Sequence, residues 1–552
     1  MNVSLTLPRT SNGNGELMLS VLSSTYVRLL TVLLIVIGLA ARLGPFIDPD
    51  GRLYWQYMTE DGYLMQTIAR NMAIGLGMTT AEGTIATNGV QPLATVIFTG
   101  LHWLAGGSKL AGVVLVSLIS VFFSVSAAYF LYRVGALVLR PLSYGEQLSK
   151  VAAALWFAAP LIVPISMNGL ETSLYWSALL GTFWYFLALA VRAEPWRWTQ
   201  RLTLGVLLGL TFLARNDAVF FIAAVLLVHL LTNAAEKVGA SAIGRRFVDC
   251  LSAGLTSILV ASPWLFYNYR LFGSIVPISG TAQSYAAELG SNLSLIPAKL
   301  FEAGTLFLPL PERFESMLPT ILVALAFVAC VFVIFWNTLA KADPIARRFI
   351  LVVGGMVLGI GGYYGIAFGA PHFLARYLSI LSPCLWLATA LATASVLTMV
   401  LRTRTVLTIG FTALIAGMTL IAAGIAGSAF ARGFSPGTAH MHKQVVEWVS
   451  ANVPEDTWVG APQTGTLGYF HDKTINLDGK VNPYALRVLL EEGHILNYVV
   501  ESQIDYIADW VGMADWIDRS DLSRSFVEQF ELVLKDEQRN LAVLKRVRLK
   551  SQ

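Results

Sequence analysis

Apolar runs of roughly 20 residues bounded by charge recur along most of this chain, and each is long enough to cross a bilayer core about 30 Å thick. About eleven are present, at 25–46, 110–138, 150–166, 171–192, 201–215, 217–233, 247–270, 317–338, 347–367, 375–399 and 404–428. Those at 150–166, 201–215 and 217–233 are short and joined by links of a few residues. The polar stretch 47–109 holds two further pieces. One follows Thr59-Glu60-Asp61-Gly62-Tyr63, where Gln66, Ala69 and Arg70 open an amphipathic helix suited to a membrane surface. The other, 93–105, is too short to cross comfortably and reads as an interfacial or re-entrant helix. From about residue 433 the pattern changes. Val445, Val446 and Val449 recur at helical spacing, and short strand-like runs follow at 457–461, 474–477, 504–508, 528–534 and 541–546, with turns at Gly465, Gly468 and Gly479. The pattern predicts a polytopic α-helical membrane protein with about eleven transmembrane helices over 1–432 and a small C-terminal α/β extramembrane domain over 433–552.

Composition agrees: 55% of the 552 residues are hydrophobic and 13% are charged, where a soluble chain carries about a quarter charged. Three cysteines, Cys250, Cys330 and Cys384, all in apolar stretches, exclude a disulfide scaffold. A formal charge of +4 is too small to indicate nucleic acid. Its distribution sets orientation instead, because short cytoplasmic loops hold the excess of Lys and Arg. Arg133, Arg140 and Lys150 flank one loop, Arg192, Arg197 and Arg201 the next, followed by Lys237, Arg245 and Arg246, by Lys341, Arg347 and Arg348, and by Arg402 and Arg404. These loops are expected in the cytoplasm, which puts 47–109, 167–170, the link near 216, 271–316, 368–374 and the C-terminal domain outside. The first run reads as a retained anchor, since Arg42 interrupts the stretch where a small-x-small cleavage site would lie.

Ionisable residues at the ends of membrane helices are costly unless they meet water, a partner or a substrate. Under this topology Glu60, Asp61, Glu171, Arg215, Asp217, Arg270, His372 and Arg376 all fall at the outer interface. Singly, each has a structural reading. Glu60-Asp61 answers a helix dipole, Glu171 after Asn168-Gly169-Leu170 opens the following helix, and Arg215-Asn216-Asp217 forms an ion pair. Together they have the composition of a site that joins a general base to cations for a phosphate.

At these residues the chain resembles the GT-C glycosyltransferases, polytopic enzymes that use polyprenyl-phosphate sugars, and in particular the arabinofuranosyltransferase-like and mannosyltransferase-like proteins of bacterial envelopes. Glu60-Asp61-Gly62-Tyr63, Asn168 to Thr172, Arg215-Asn216-Asp217, Ser262-Pro263-Trp264 with Phe272-Gly273-Ser274, and His372 to Tyr377 carry the resemblance. It implies an inverting transfer of a sugar, arabinofuranosyl among the candidates, from a polyprenyl-phosphate donor to an envelope glycan or glycolipid. Asp61, or else Glu60, would take the acceptor proton. Arg215, His372, Arg376, Tyr377 and Arg270 would bind the donor phosphate, and Asn168, Glu171, Asp217 and Gln91 would orient the substrates. No cofactor is required by this scheme, although Asp61, Glu171 and Asp217 are of the type that holds Mg²⁺, Mn²⁺ or Ca²⁺. The expected setting is the inner membrane, with the site and the C-terminal domain on the periplasmic side, membrane lipids as partners and no nucleic acid.

Other acceptors fit the same chemistry, namely protein for a mannosyltransferase and lipid A for an aminosugar transferase. A secondary transporter or lipid flippase is the rival outside enzymes, but no internal repeat supports it. In the outer domain Gly465-Thr466-Leu467-Gly468 lacks a dinucleotide fingerprint and reads as a tight turn. Trp458, Tyr469, Trp510 and Trp516 are either core residues or stacking faces for sugars.

Overall fold

The computed structural model describes residues 13–192, 194–232, 240–285, 287–401, 403–433, 435 and 437–547. Lys237, Arg402 and Pro436 lie outside the described residues. Eight helical stretches among the described residues are long and apolar enough to span a bilayer: Thr25–Ile47, Lys109–Val138, Thr172–Val191, Ile243–Phe272, Leu318–Ala340, Pro344–Ile366, Pro371–Val400 and Arg404–Arg432. The expectation of about eleven is corrected on length. The run at 150–166 breaks at Pro160 into Gly145–Ala158 and Ile162–Ser166. Those at 201–215 and 217–233 are the 17-residue helix Trp198–Ala214 and the 14-residue helix Ala218–Leu231. Both fall below the roughly 20 residues a perpendicular span needs. The run at 375–399 is broken as well. Pro371–Phe373, Leu374–Leu378 and Ser379–Leu381 are separate turns before Ser382–Val400, whose second residue, Pro383, fits only a first helical turn.

Small residues and one buried arginine hold the bundle together. Gly205 and Gly209 of Trp198–Ala214 let that helix approach Ala240–Phe272 so closely that an added Cβ would meet Ala253 O at 2.7 Å and Ser257 O at 3.0 Å. Arg42, fully buried, donates to Phe157 O and Gly38 O at 2.9 Å each and to Ser166 Oγ at 3.0 Å. Phe157 is near the end of Gly145–Ala158, so Arg42 satisfies a carbonyl left open where Pro160 stops the helix.

The outer domain is a five-stranded sheet in the order Thr474–Asn476, Val459–Ala461, Tyr506–Asp509, Leu541–Arg546, Phe530–Asp536. The first three strands are parallel and the last two antiparallel to their neighbours. All five expected strands are present. The expected Gly465 turn is instead the start of the helix Gly465–Phe470, which packs on Glu60–Ala73 from the first loop. Tyr63 of that loop helix is packed against Tyr469 and Phe470, with ring centroids at 5.1 and 5.4 Å. Arg70 and Lys109 converge on Asp472, and His440 Nε2 lies 2.7 Å from Trp55 O. This contact sets the outer domain over the first loop.

Candidate functional site

Two loops distant in sequence are docked as one unit. Thr59 caps Glu60–Ala73 by accepting from Gly62 N at 3.1 Å, and both its backbone N and its Oγ1 donate to Asn168 O. Gly62 leaves no room for a Cβ against that carbonyl, and Gln66 Nε2 donates to Gly169 O at 2.8 Å. Gly169 has φ +78°, which lets the chain turn here without a Cβ penalty. Asn168 Oδ1 accepts from Leu170 N at 3.0 Å, so Asn168 builds the turn, and it does not line the adjoining cavity. Asp61 and Glu171 are thereby brought to the same cavity.

That cavity, of ≈ 430 Å³, is lined by Asp61, Gln91, Glu171, Arg215, Asp217, Arg376 and Tyr377, all singled out from the sequence, and by Tyr364 and Lys480, which were not. Its remaining walls are largely apolar, with Phe212, Phe220, Leu265, Ile275 and Phe368. Arg376 Nη1 donates to Asp61 Oδ2 at 2.8 Å and Nη2 to the Tyr377 hydroxyl at 3.2 Å. Arg215 is enclosed: Nε is 3.0 Å from Asp217 Oδ2, Nη1 is 3.5 Å from Glu171 Oε1, and the guanidinium lies 4.5 Å over the Tyr377 ring. Tyr364 donates to Asp217 Oδ2 at 2.8 Å and stacks on Tyr377 at 4.7 Å. Gln91 Oε1, Arg215 Nη1, Asn216 Oδ1, Asp217 Oδ1 and Arg376 Nε are buried with no hydrogen-bond partner, and these are groups a polar substrate can satisfy.

Besides Asn168, three expected site residues do not line the cavity. Arg270 ends its long helix on an exposed face, away from the cavity. His372 is exposed, with its ring 4.1 Å from that of Phe373, but it lies within electrostatic reach of Asp61, Lys480 and Arg376. The Glu60 carboxylate turns toward the outer domain and accepts from Gly465 N. Gly465 is required there, because a Cβ would overlap the Glu60 backbone. In the outer domain Tyr469 and Trp516 are buried core or interface residues, while Trp510 is 40% exposed.

The adjacent carboxylates differ in charge state. Burial, reinforced by the neighbouring Asp61, pushes the Glu60 carboxyl up to about 8. Burial acts in the same direction on Asp61, but Arg376 and Lys480 outweigh it and hold this carboxyl below its usual range. At neutral pH Asp61 is therefore ionised while Glu60 is largely protonated. Asp61 is engaged by Arg376, Glu171 and Asp217 by Arg215, and no three His, Cys, Asp or Glu side chains gather at one point among the described residues.

Residues 432–544 match the family model of a domain of unknown function (DUF8728). No curated protein matches the chain in sequence. Among solved structures, the archaeal oligosaccharyltransferase AglB from Archaeoglobus fulgidus, in complex with an inhibitory peptide and a dolichol-phosphate, superposes with a TM-score of 0.54 at 13% identity, over 90% of this chain and 71% of its own. ArnT from Cupriavidus metallidurans bound to undecaprenyl phosphate superposes with a TM-score of 0.56 at 11% identity, over 95% of this chain and 99% of its own. The chain is a multi-pass membrane protein with the GT-C fold that these glycosyltransferases share.

Proposed function

We propose that this chain is an integral-membrane inverting glycosyltransferase that moves a sugar from a polyprenyl-phosphate donor to a hydroxyl of an envelope glycan or glycolipid, on the outer face of the membrane. One observation carries the reading above the others. Asp61 is kept ionised by Arg376 at the wall of a cavity lined by both charged and apolar side chains. Such a cavity suits a substrate with a polar head and a hydrocarbon tail, and the two structural neighbours contain lipid phosphates of that kind.

In the reaction the acceptor oxygen forms a bond to the anomeric carbon while the bond from that carbon to the phosphate oxygen breaks, its electron pair staying on the phosphate. The acceptor proton passes to Asp61. Phosphate leaves without protonation, so one carboxylate suffices, unlike glycoside hydrolysis. A lowered pKa makes Asp61 a weak base, and its negative charge also favours the positive charge that develops on the sugar ring. Glu60 is unsuited to the same role, because it holds its proton at neutral pH and is committed to Gly465.

Arg376 is the cation placed for the donor phosphate, with Nε unpartnered and Nη1 already beside the base. Arg215 is reassigned. Its contacts with Glu171 and Asp217 already occupy its charge, so it braces the cavity. Arabinofuranosyl donors are the first to test, followed by mannosyl and aminosugar donors, with protein and lipid A as further acceptors. Asp61→Asn tests the assignment. It keeps shape and removes the base, so transfer falls by ~10² or more at unchanged expression. Near-normal transfer would move the base elsewhere.

A further inference from the structure

Lys480 lies in the outer domain, more than 400 residues from Asp61 in sequence, and lines the same cavity as Asp61 and Arg376. Its position is fixed by the backbone. In Asp478-Gly479-Lys480, Asn476 Oδ1 accepts from Gly479 N and Asp478 Oδ1 from Lys480 N, each at 3.0 Å. Gly479 has φ +79° and stands so close to Leu486 that a Cβ would meet its Cα at 2.9 Å. From the membrane part, Gly89 packs directly on the Lys480 carbonyl, and Val481 joins Val90 and Ile68 in one buried cluster. Asn88 ties this clamp to the long helix ending at Phe272, donating to Asn268 Oδ1 at 3.1 Å and accepting from Ile278 N at 3.0 Å. The Lys480 ammonium is 3.0 Å from Asp478 Oδ2 and 5.5 Å from the ring of Phe373, three residues before Arg376.

We propose that Lys480 is the second phosphate-contacting cation of the donor site, supplied by the outer domain to act with Arg376. This rests on the glycosyltransferase reading above. The donor is a phosphodiester of charge −1, and the polyprenyl phosphate released is a monoester approaching −2, so one further negative charge develops as the anomeric bond breaks. Arg376 is balanced by Asp61, and Arg215 is enclosed by two carboxylates. Lys480 is held by one carboxylate on a flexible stem, and it can exchange Asp478 for the phosphate as that charge appears. An interaction stronger with the product-like state than with the donor accelerates the chemical step. The outer domain is then part of the active site.

The test uses the full chain in lipid nanodiscs and measures binding of undecaprenyl phosphate together with transfer kinetics. Lys480→Met keeps the apolar stem and should bind undecaprenyl phosphate ~10- to 100-fold more weakly, as for loss of one charge-assisted contact. It should lower kcat more than it changes the donor KM. Lys480→Arg should restore most of the binding, and Asp478→Asn, which removes the competing carboxylate, should tighten it. Thermal melting of all three separates these effects from misfolding. Wild-type affinity in Lys480→Met, with Arg376→Lys weakened, overturns this inference and leaves the glycosyltransferase reading intact. Absence of undecaprenyl phosphate binding by the wild type overturns both.

Discussion

Gly62→Ala adds one methyl group and probes how tightly Asp61 must be held. The new Cβ would overlap the Asn168 carbonyl oxygen and stand 3.2 Å from Gly169 Cα. Neither backbone can yield cheaply. The Asn168 carbonyl carries both hydrogen bonds from Thr59, and Gly169 is committed to its positive φ. The Glu60–Ala73 helix must therefore move off the 168–171 turn by about 1 Å, and a misplacement of that size at a reacting group costs ~10²-fold in rate. Overpacking of this kind also costs about 1–3 kcal/mol of stability. Gly100→Ala is the control. It lies on the neighbouring helix Pro92–Leu104 with open space around its Cβ, so it should leave transfer unchanged and gain up to about 1 kcal/mol. The assay is the initial rate of labelled sugar transfer beside thermal denaturation in the same lipid. A Gly62→Ala protein with a rate within about threefold of wild type and an unshifted melting temperature would refute the reasoning.

Three further outcomes are expected. Arg215→Met leaves Glu171 and Asp217 buried without their cation and should cost about 3–5 kcal/mol, read as a lower melting temperature whether or not donor is present; unchanged melting would mean the cluster is not load-sharing. Arg376→Lys keeps the charge but loses the fork that reaches both Asp61 and Tyr377, so donor affinity should fall while melting changes little, as titration with donor can establish. Glu60, whose folded pKa is raised, binds more protons folded than unfolded between the ordinary glutamate value of 4.5 and about 8. Stability should therefore decline as pH rises through that window, by at most about 1.4 kcal/mol per pH unit, and Glu60→Gln should flatten the profile. An identical slope in the variant would assign the pH dependence to another group.

What could be read in the sequence follows from which interactions are local. Apolar length and the sidedness of Lys and Arg are properties of single segments, so each expected span is mainly helical among the described residues and the cavity's polar lining was largely named in advance. Length was judged too generously where Pro160 and the Arg215-Asn216-Asp217 link interrupt apolar runs. Side-chain direction at a helix end is not encoded in spacing, which is why Arg270 was included although it does not line the cavity, whereas His372, also outside the lining, stays within electrostatic reach of Asp61, Lys480 and Arg376. Tyr364 was hidden inside an apolar span, and its partners Asp217 and Tyr377 come from different helices. Lys480 and Gly465 depend on how the outer domain docks on the first loop. The one available signal was the glycine-bearing turn at Asp478-Gly479-Lys480, which places a cation at the tip of a rigid bend.

The fold also explains why a small sheet domain follows so large a bundle. Tyr469 and Phe470 close over Tyr63, Gly465 engages Glu60, and Gly89 receives the Lys480 backbone. The domain therefore rests on the helix that begins with the proposed base, and changes at this contact are expected to reach the chemistry.

The most direct measurement of the central claim is transfer by the purified protein in lipid, offered a panel of labelled polyprenyl-phosphate sugars and envelope glycans, with release of polyprenyl phosphate followed alongside. The account predicts that at least one donor yields a glycosylated product and free polyprenyl phosphate in equal amounts, with inverted anomeric configuration, and that Asp61→Asn abolishes both. Binding of the donor with no transfer to any acceptor, or transfer that retains configuration, would contradict it.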